Sequence, residues 1–170
     1  MTVAIPKRLR IFGEELRRSE PTTDAENPYW QAEENLPHPN PELGCIRRGL
    51  CCRSSPGWFG PGEVEAAAAL RGQSPQELVE SALIIDGLDV DGERVEVFAP
   101  VKLGRDGLPL AQPGTRVDRL YRMFRSPCVF FQDEGCTIYD ARPIECRRYV
   151  CTQREDEQLT HLEVAKLWRG

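Results

Sequence analysis

Apolar and polar positions change their period along the chain, and the change predicts helices first and strands afterwards. Residues 61–72, PGEVEAAAALRG, open with Pro, carry two Glu early and close on Gly, which is the punctuation of a short helix. Residues 74–83, SPQELVESAL, predict a second helix, because Ser74 is a suitable N-cap and Glu77 completes a capping box. The pattern therefore places two short helices in succession.

A period of two follows in residues 93–103, ERVEVFAPVKL, and is typical of a half-buried strand. The dipeptide Asp106–Gly107 favours a tight turn, so we expect a β-hairpin in this region. Residues 120–124 predict a further strand. We interpret residues 86–92, DGLDVDG, as turn chemistry and not as a calcium loop, because Gly and Phe occupy positions that calcium ligands require.

The segment before the helices has a different composition. Residues 21–44 hold five prolines and five acidic side chains without Lys or Arg, a composition that cannot support a helix or a central strand. We expect residues 1–44 to form an extended or flexible N-terminal arm. Residues 45–153, which contain every cysteine, are expected to form one domain.

The end of the chain predicts one more helix. Residues 154–170, REDEQLTHLEVAKLWRG, have leucines near helical spacing, which indicates an amphipathic C-terminal helix that packs on the body. These leucines are Leu159, Leu162 and Leu167. His161 is expected to be exposed on this helix. Together the elements predict an α+β fold: a small, irregular single domain with short helices and a β-hairpin.

Composition narrows the classes of protein that fit. The 170 residues suit one domain, and the 14 Gly and 14 Pro favour turns and loops. The net charge of −5 argues against nonspecific nucleic-acid binding, which needs a basic surface. No apolar run approaches about 18 residues, so we expect no membrane span. Charges throughout residues 1–20 exclude the apolar core of a signal peptide, and we expect a cytoplasmic protein.

Seven cysteines are an unusual number for such a protein, and they carry the candidate chemistry. An odd count in a reducing compartment argues against a disulfide framework and leaves metal ligation, redox or catalytic thiols, and plain buried cysteine. Their spacing fits neither a zinc ribbon nor a ferredoxin, and so does not identify a metal. The cysteines are Cys45, Cys51, Cys52, Cys128, Cys136, Cys146 and Cys151.

Positive charge near these cysteines predicts thiols that ionise easily. Pro143 favours a helix that begins near Arg142 and places Cys146 in its first turn, where a thiolate is stabilised. Trp58 and Phe59 are expected to shield the site from solvent. Arginines near both groups of cysteines could offset the negative charge of a thiolate-rich site; they are Arg47, Arg48, Arg53, Arg142, Arg147 and Arg148.

Cys51 and Cys52 pose a separate problem, because adjacent side chains diverge by about 100° in a helix and lie on opposite faces of a strand. Regular structure would therefore not easily bring both thiols to one tetrahedral ion. Three arrangements stay open: a loop bends the pair together, the two thiols serve two ions, or one of them packs in the core.

The cysteine pattern resembles the YkgJ-type cysteine-cluster family, also called the CxxCxxCC or zinc- or iron-chelating domain. That family has an early C-x-x-C-G-x-C-C-R motif and a later motif, C-x-F-L followed by G-x-C-x-I-Y-x-x-R-P-x-x-C-R. The resemblance spans residues 45–151. The matching residues are Cys45, Gly49, Cys51, Cys52 and Arg53 early, and Cys128, Phe130, Gly135, Cys136, Ile138, Tyr139, Arg142, Pro143, Cys146 and Arg147 late. Arg48 departs from the pattern, because it stands where the family has its second cysteine. Cys151 or a non-thiol group could fill that ligand position, or it could stay open.

The resemblance implies a metal-stapled domain over residues 45–153 that binds zinc or iron, with an iron–sulfur cluster as one form. All seven cysteines are candidate metal ligands, and we expect a structural, electron-transfer or redox-sensing role. Two alternatives stay open: a metal-dependent enzyme that modifies a protein or a small molecule, and a metal-free thiol redox module. The metal ion is the expected partner, and the sequence indicates no catalytic residue, organic cofactor or protein partner.

Overall fold

The computed structural model describes residues 49–149 and 158–170, so the predicted arm over residues 1–44 lies outside the described part of the chain. Cys45 and Cys151 lie outside it as well. Helices and antiparallel strands are both present, which confirms the predicted α+β class. The described elements, in chain order, are α1 (Leu50–Ser54), α2 (Glu63–Leu70), α3 (Pro75–Ala82), β1 (Leu83–Val90), β2 (Glu93–Pro100), α4 (Arg119–Met123), β3 (Phe131–Gln132), β4 (Gly135–Cys136), a 3-10 helix (Tyr139–Ala141), α5 (Ile144–Arg148) and α6 (His161–Arg169).

The two helices predicted on either side of residue 73 are confirmed as α2 and α3. Ser74 Oγ accepts a hydrogen bond from the Glu77 amide at 3.2 Å, and the Glu77 carboxylate accepts one from the Ser74 amide at 2.7 Å. This reciprocal capping box fixes where α3 begins. Leu78 and Ala82 are buried in the core, so a local signal starts the helix and packing holds it along its length.

β1 and β2 form an antiparallel hairpin, but its boundaries differ from the sequence prediction. Residues 86–90, interpreted as turn, belong to a strand, and only Asp91–Gly92 turns, with φ values of 50° and 85°. A two-residue type I′ hairpin requires such positive values at both positions. Gly87 is needed inside β1 because a Cβ there would lie 2.5 Å from the carbonyl oxygen of Val95. Asp106–Gly107 also lies in a turn, beyond this hairpin.

The strand predicted over residues 120–124 is wrong, because this segment forms the helix α4. Asp118 caps the helix by accepting a hydrogen bond from the Tyr121 amide at 3.0 Å. Beyond the other end, the Lys102 Nζ donates to the Phe124 carbonyl at 2.5 Å. Satisfying the free amides and carbonyls at both ends stabilises a helix that the strand-like local sequence did not suggest.

A continuous apolar core joins α2 and α3 to the segments that carry the later cysteines. Phe130, a residue of the later motif, is 2% exposed and belongs to this core. The buried members of this core are Phe59, Val64, Ala67, Ala68, Leu78, Ala82, Leu83, Cys128, Phe130 and Ile138. Within residues 49–149 and 158–170, no helix is both long enough and apolar enough to cross a bilayer.

The C-terminal helix α6 packs on both strands of the hairpin, but not with the predicted face. Val164 and Ala165 are fully buried, whereas Leu162 and Leu167 remain 43% and 46% exposed. The leucine spacing identified a helix correctly and assigned its inner face wrongly. Small side chains face the hairpin because they let the helix approach it closely.

Candidate metal centre

One cavity of about 150 Å³ is lined by all five cysteines that the structure describes. They come from α1, from the segment before β3, from β4 and from α5, which are distant in sequence. The early and late groups therefore meet at one place, with apolar residues such as Phe130 and Ile138 around them. The five are Cys51, Cys52, Cys128, Cys136 and Cys146.

The helix α1 brings Cys51 and Cys52 to this cavity. Gly49 precedes the helix with a φ of 74°, where a Cβ would lie 2.7 Å from the Phe131 ring. Both its conformation and its surroundings therefore require glycine. The Cys128 amide donates to the Cys52 carbonyl at 2.7 Å, so a main-chain hydrogen bond joins the early and late cysteine segments directly.

The two adjacent thiols lie closer together than expected. Cys51 and Cys52 belong to one helix, yet their Sγ atoms are 4.0 Å apart. Four sulfurs at about 2.3 Å from a zinc ion would lie about 3.8 Å from one another in a tetrahedron. The expectation that regular structure separates the pair is wrong, because rotation about χ1 brings the sulfurs together although the Cα–Cβ bonds diverge.

Cys146 lies in the first turn of α5, as predicted, and a loop covers its sulfur. The Gly57 amide donates a hydrogen bond to Cys146 Sγ at 3.2 Å. A Cβ on Gly57 would lie 2.8 Å from the Cys146 backbone nitrogen and 2.9 Å from Sγ. The approach of this loop to the thiol therefore depends on glycine.

Cys128 and Cys136 complete the described set from the other side of the cavity. Cys128 is 8% exposed and belongs to the apolar core, whereas Cys136 pairs with Phe131 across the short β3–β4 hairpin. The turn of that hairpin has positive φ at Asp133 and Glu134, 47° and 61°. A tight turn thus places Cys136 beside the segment that carries Cys128.

Three thiols of the cavity, those of Cys51, Cys128 and Cys146, have raised pKa values and so ionise less easily than expected. Burial raises the pKa of Cys128 and the pKa of Cys146, and neighbouring thiols add to both shifts. The hydrogen bond with Cys52 raises the pKa of Cys51, and burial raises it further. The prediction that the helix start lowers the pKa of Cys146 is therefore wrong for the metal-free chain, because loss of hydration outweighs the short helix.

The arginines predicted to offset thiolate charge differ in their surroundings. Arg142 lines the cavity, and its guanidinium lies 3.8 Å from the centre of the Tyr139 ring. Its Nε is buried and has no hydrogen-bond partner among the described residues, so a positive group is available beside the thiols. Arg53 and Arg147 are instead engaged in ion pairs with Glu134 and Glu63, respectively, and Arg148 is exposed at the end of α5. Arg47 and Arg48 lie outside the described residues.

Trp58 and Phe59 do not shield the cavity as predicted, since neither residue lines it. Both are buried, and the Trp58 ring stacks on His161 with centroids 4.2 Å apart. The His161 side chain is 30% exposed and its Nδ1 lies 2.6 Å from Glu145 Oε1, so the residue expected to be exposed is partly exposed and partly packed. Sequence patterns missed Glu145 and His161 because no local signal links either of them to Trp58.

The cysteines that line the cavity are suitable metal ligands, but their side chains are not arranged around a common point. Among residues 49–149 and 158–170, no three His, Cys, Asp or Glu side chains are already arranged to hold a metal ion. The donor set nevertheless fits zinc or iron, which thiolates bind well. The other cysteines would need a change of rotamer to bring their sulfurs as close together as those of Cys51 and Cys52, which are 4.0 Å apart.

Comparisons with protein-family models, with curated proteins and with solved structures find no match to this chain.

Proposed function

We propose that the protein is a zinc- or iron-chelating cysteine-cluster protein of the YkgJ type, with an iron–sulfur cluster as one form of the bound metal. One observation carries the proposal: five cysteines from four separate segments line a single cavity. Thiolates select zinc and iron–sulfur centres over hard cations such as magnesium. The family motif supports the same chemistry from the sequence side.

The ligands would come from the five cysteines of the cavity, together with Cys45 and Cys151 outside the described residues. Cys51 and Cys52 form the strongest candidate pair because their sulfurs are already 4.0 Å apart. A bound metal would cross-link α1 to the late segments, which makes the domain metal-stapled and couples binding to folding. It would also supply a redox centre if it is iron.

The pKa shifts argue against the metal-free redox alternative. Thiol exchange needs a thiolate, and reactive cysteines have lowered pKa values. Burial instead raises the pKa of Cys128 and of Cys146. A vicinal disulfide between Cys51 and Cys52 would also be strained. A metal removes this difficulty because its charge favours the deprotonated ligand.

The enzyme alternative needs an acid or a base beside the metal. Glu134 is the one carboxylate among the described residues that line the cavity, and its side chain is 79% exposed and paired with Arg53. Asp133 and Asp140 are exposed as well. A structural, electron-transfer or redox-sensing role therefore fits the described residues better than acid–base catalysis.

The size of the cavity bears on the kind of centre. A space of about 150 Å³ equals that of an engineered apolar cavity in another protein that accommodates benzene. The cavity therefore has room for a single metal ion or for a small cluster beside the five thiols.

The deciding experiment is to purify the full chain without oxygen, then measure its metal content and absorbance spectrum. We expect stoichiometric metal: a coloured protein with thiolate-to-iron charge-transfer bands if iron is bound, and a colourless one if zinc is bound. A folded, metal-free protein that takes up neither zinc nor iron would overturn the proposal.

Two variants of α1 test whether the metal binds at the cavity. The double change Cys51→Ser with Cys52→Ser removes the close pair and should abolish or strongly reduce metal retention. Ser54→Ala on the same helix is the control, since Ser54 does not line the cavity and should keep the wild-type metal content. Full retention in the double cysteine variant would exclude this pair as ligands.

A further inference from the structure

Three side chains, Trp58, Glu145 and His161, pack together beside the cysteine cavity; Trp58 and Glu145 are buried and His161 is partly exposed. The Trp58 and His161 rings stack with centroids 4.2 Å apart and planes within 14°. Glu145 accepts a hydrogen bond from the Trp58 amide at 2.6 Å through Oε2, and its Oε1 lies 2.6 Å from His161 Nδ1. Trp58 is 2% exposed and Glu145 7%, so these contacts are strengthened by exclusion of water.

Two hydrogen bonds from neighbouring amides join this unit to the segment that carries Cys146. The Gly57 amide donates to Cys146 Sγ at 3.2 Å, and the next amide, that of Trp58, donates to the side chain of Glu145. The amides of two neighbouring residues, Gly57 and Trp58, thus bind the side chains of two neighbouring residues, Cys146 and Glu145. A displacement of Glu145 would move the backbone that carries the Cys146 thiol and would weaken the contact of that thiol with Gly57.

His161 is positioned by the helix α6, of which it is the first residue. A capping box between Thr160 and Glu163 fixes the start of the helix, where His161 is the first residue. At its far end, Trp168 Nε1 donates to the Phe59 carbonyl at 2.7 Å. Both ends of α6 are thereby fixed, so His161 is presented to Glu145 by an anchored element.

The Trp58 ring also has a partner besides His161. The Arg122 guanidinium carbon lies 5.2 Å from the centre of a Trp58 ring, a cation–π distance. Arg122 is itself held by Asp86 through contacts of 3.0 and 3.1 Å. Trp58 is therefore restrained by His161 and by a fixed cation.

We propose that Trp58, Glu145 and His161 form a clamp through which α6 positions Cys146 for metal binding; the inference rests on the proposed function. The three are positioning residues: Glu145 precedes Cys146 in the chain, Trp58 follows its amide donor Gly57, and His161 contacts both Trp58 and Glu145. None of the three is a proposed ligand. Removing groups that orient metal ligands typically lowers metal affinity by about 10–100-fold. We expect the same range for loss of the clamp.

The clamp has a reciprocal consequence. If α6 improves the position of Cys146, then a metal on Cys146 must stabilise the docking of α6 by the same factor. Binding at the cavity should therefore slow hydrogen exchange of the amides in residues 161–169. A cavity site independent of α6 would leave that exchange unchanged.

The test is an anaerobic Co²⁺ titration of the full chain, wild type against His161→Ala, followed by visible absorbance. We expect wild type to bind Co²⁺ with thiolate-to-cobalt bands, and His161→Ala to bind at least about 10-fold more weakly with shifted bands. His161→Gln, which restores a hydrogen-bond donor toward Glu145, should recover most of the affinity. Lys166→Ala, an exposed change on the same helix, should match wild type.

The outcomes separate the clamp from the proposed function. A wild-type chain that binds no Co²⁺, zinc or iron overturns the proposed function itself. Wild-type binding with equal affinity and spectrum in His161→Ala, or with unchanged exchange of the α6 amides, overturns the clamp alone. Should His161→Ala lose its circular dichroism signature of folding, Glu145→Gln supplies the same comparison, since its amide oxygen still accepts from Trp58.

Discussion

The amide of Gly57 donates a hydrogen bond to the sulfur of Cys146 at 3.2 Å, although 89 residues separate them in sequence. A donor at this distance stabilises a thiolate more than a thiol, because hydrogen bonds to charged acceptors are the stronger ones. The contact therefore provides a fixed favourable interaction for the charged form of Cys146, and a bound metal would use that form.

Gly57→Ala should destabilise the protein by about 1–3 kcal/mol, because a methyl group would lie 2.8 Å from the Cys146 backbone and force the loop outward. Urea unfolding of the metal-free chain measures the loss, and metal content measures its effect on the site. Gly135→Ala is the matched control, since its new Cβ would meet the Gln132 carbonyl at an ordinary 3.8 Å. Equal stability of the two variants would contradict the close approach.

Local signals in the sequence predicted the parts of the fold that local interactions determine. The capping box of Ser74 and Glu77 identified α3 because its two hydrogen bonds span only three residues. The helix start before Cys146 was predicted for the same reason. The pairing of the strands was not predicted, because Asp91–Gly92 and Asp106–Gly107 are both suitable turns. Which of the two closes the main hairpin depends on the register of side chains that are distant in sequence.

The sequence predicted which cysteines come together better than it predicted the burial and the neighbours of their thiols. Five of the seven predicted cysteines line one cavity, and the family motif pointed to that grouping. The raised pKa of Cys146 could not be predicted, because burial is a property of the assembled fold. The same holds for Glu145 and His161, which meet only once α6 has docked on the hairpin.

Asp86→Ala should destabilise the protein by about 3–5 kcal/mol, because it leaves Arg122 without its buried partner. Asp86 is 2% exposed, and Arg122 contacts both of its carboxylate oxygens. Urea unfolding checks the loss, with Glu96→Ala as the control because the Glu96–Arg116 pair is exposed and should contribute little. A similarly small effect for both variants would show that the buried pair does not hold β1 to α4.

Removal of the proposed metal should lower the midpoint of thermal unfolding. A ligand present at 100 times its dissociation constant stabilises the folded state by about 2.7 kcal/mol, and a chelator would remove that amount. Differential scanning calorimetry with and without chelator measures the shift, which should vanish in the Cys51→Ser, Cys52→Ser double variant. An equal shift in the double variant would place the metal elsewhere.

Lys102 should make the free energy of unfolding rise with pH in alkaline solution. Burial lowers the pKa of Lys102 to about 8 from an ordinary value of 10.5, so between these values the unfolded chain binds more protons than the folded one. Buried thiols with raised pKa values give the opposite slope, so the quantity to measure is the stability difference between wild type and Lys102→Met. We expect it to change in favour of wild type by about 2–3 kcal/mol between pH 8 and pH 10.5 in urea unfolding. Parallel stability curves for wild type and Lys102→Met would mean that the three carbonyls around Nζ keep the buried amine charged throughout this range.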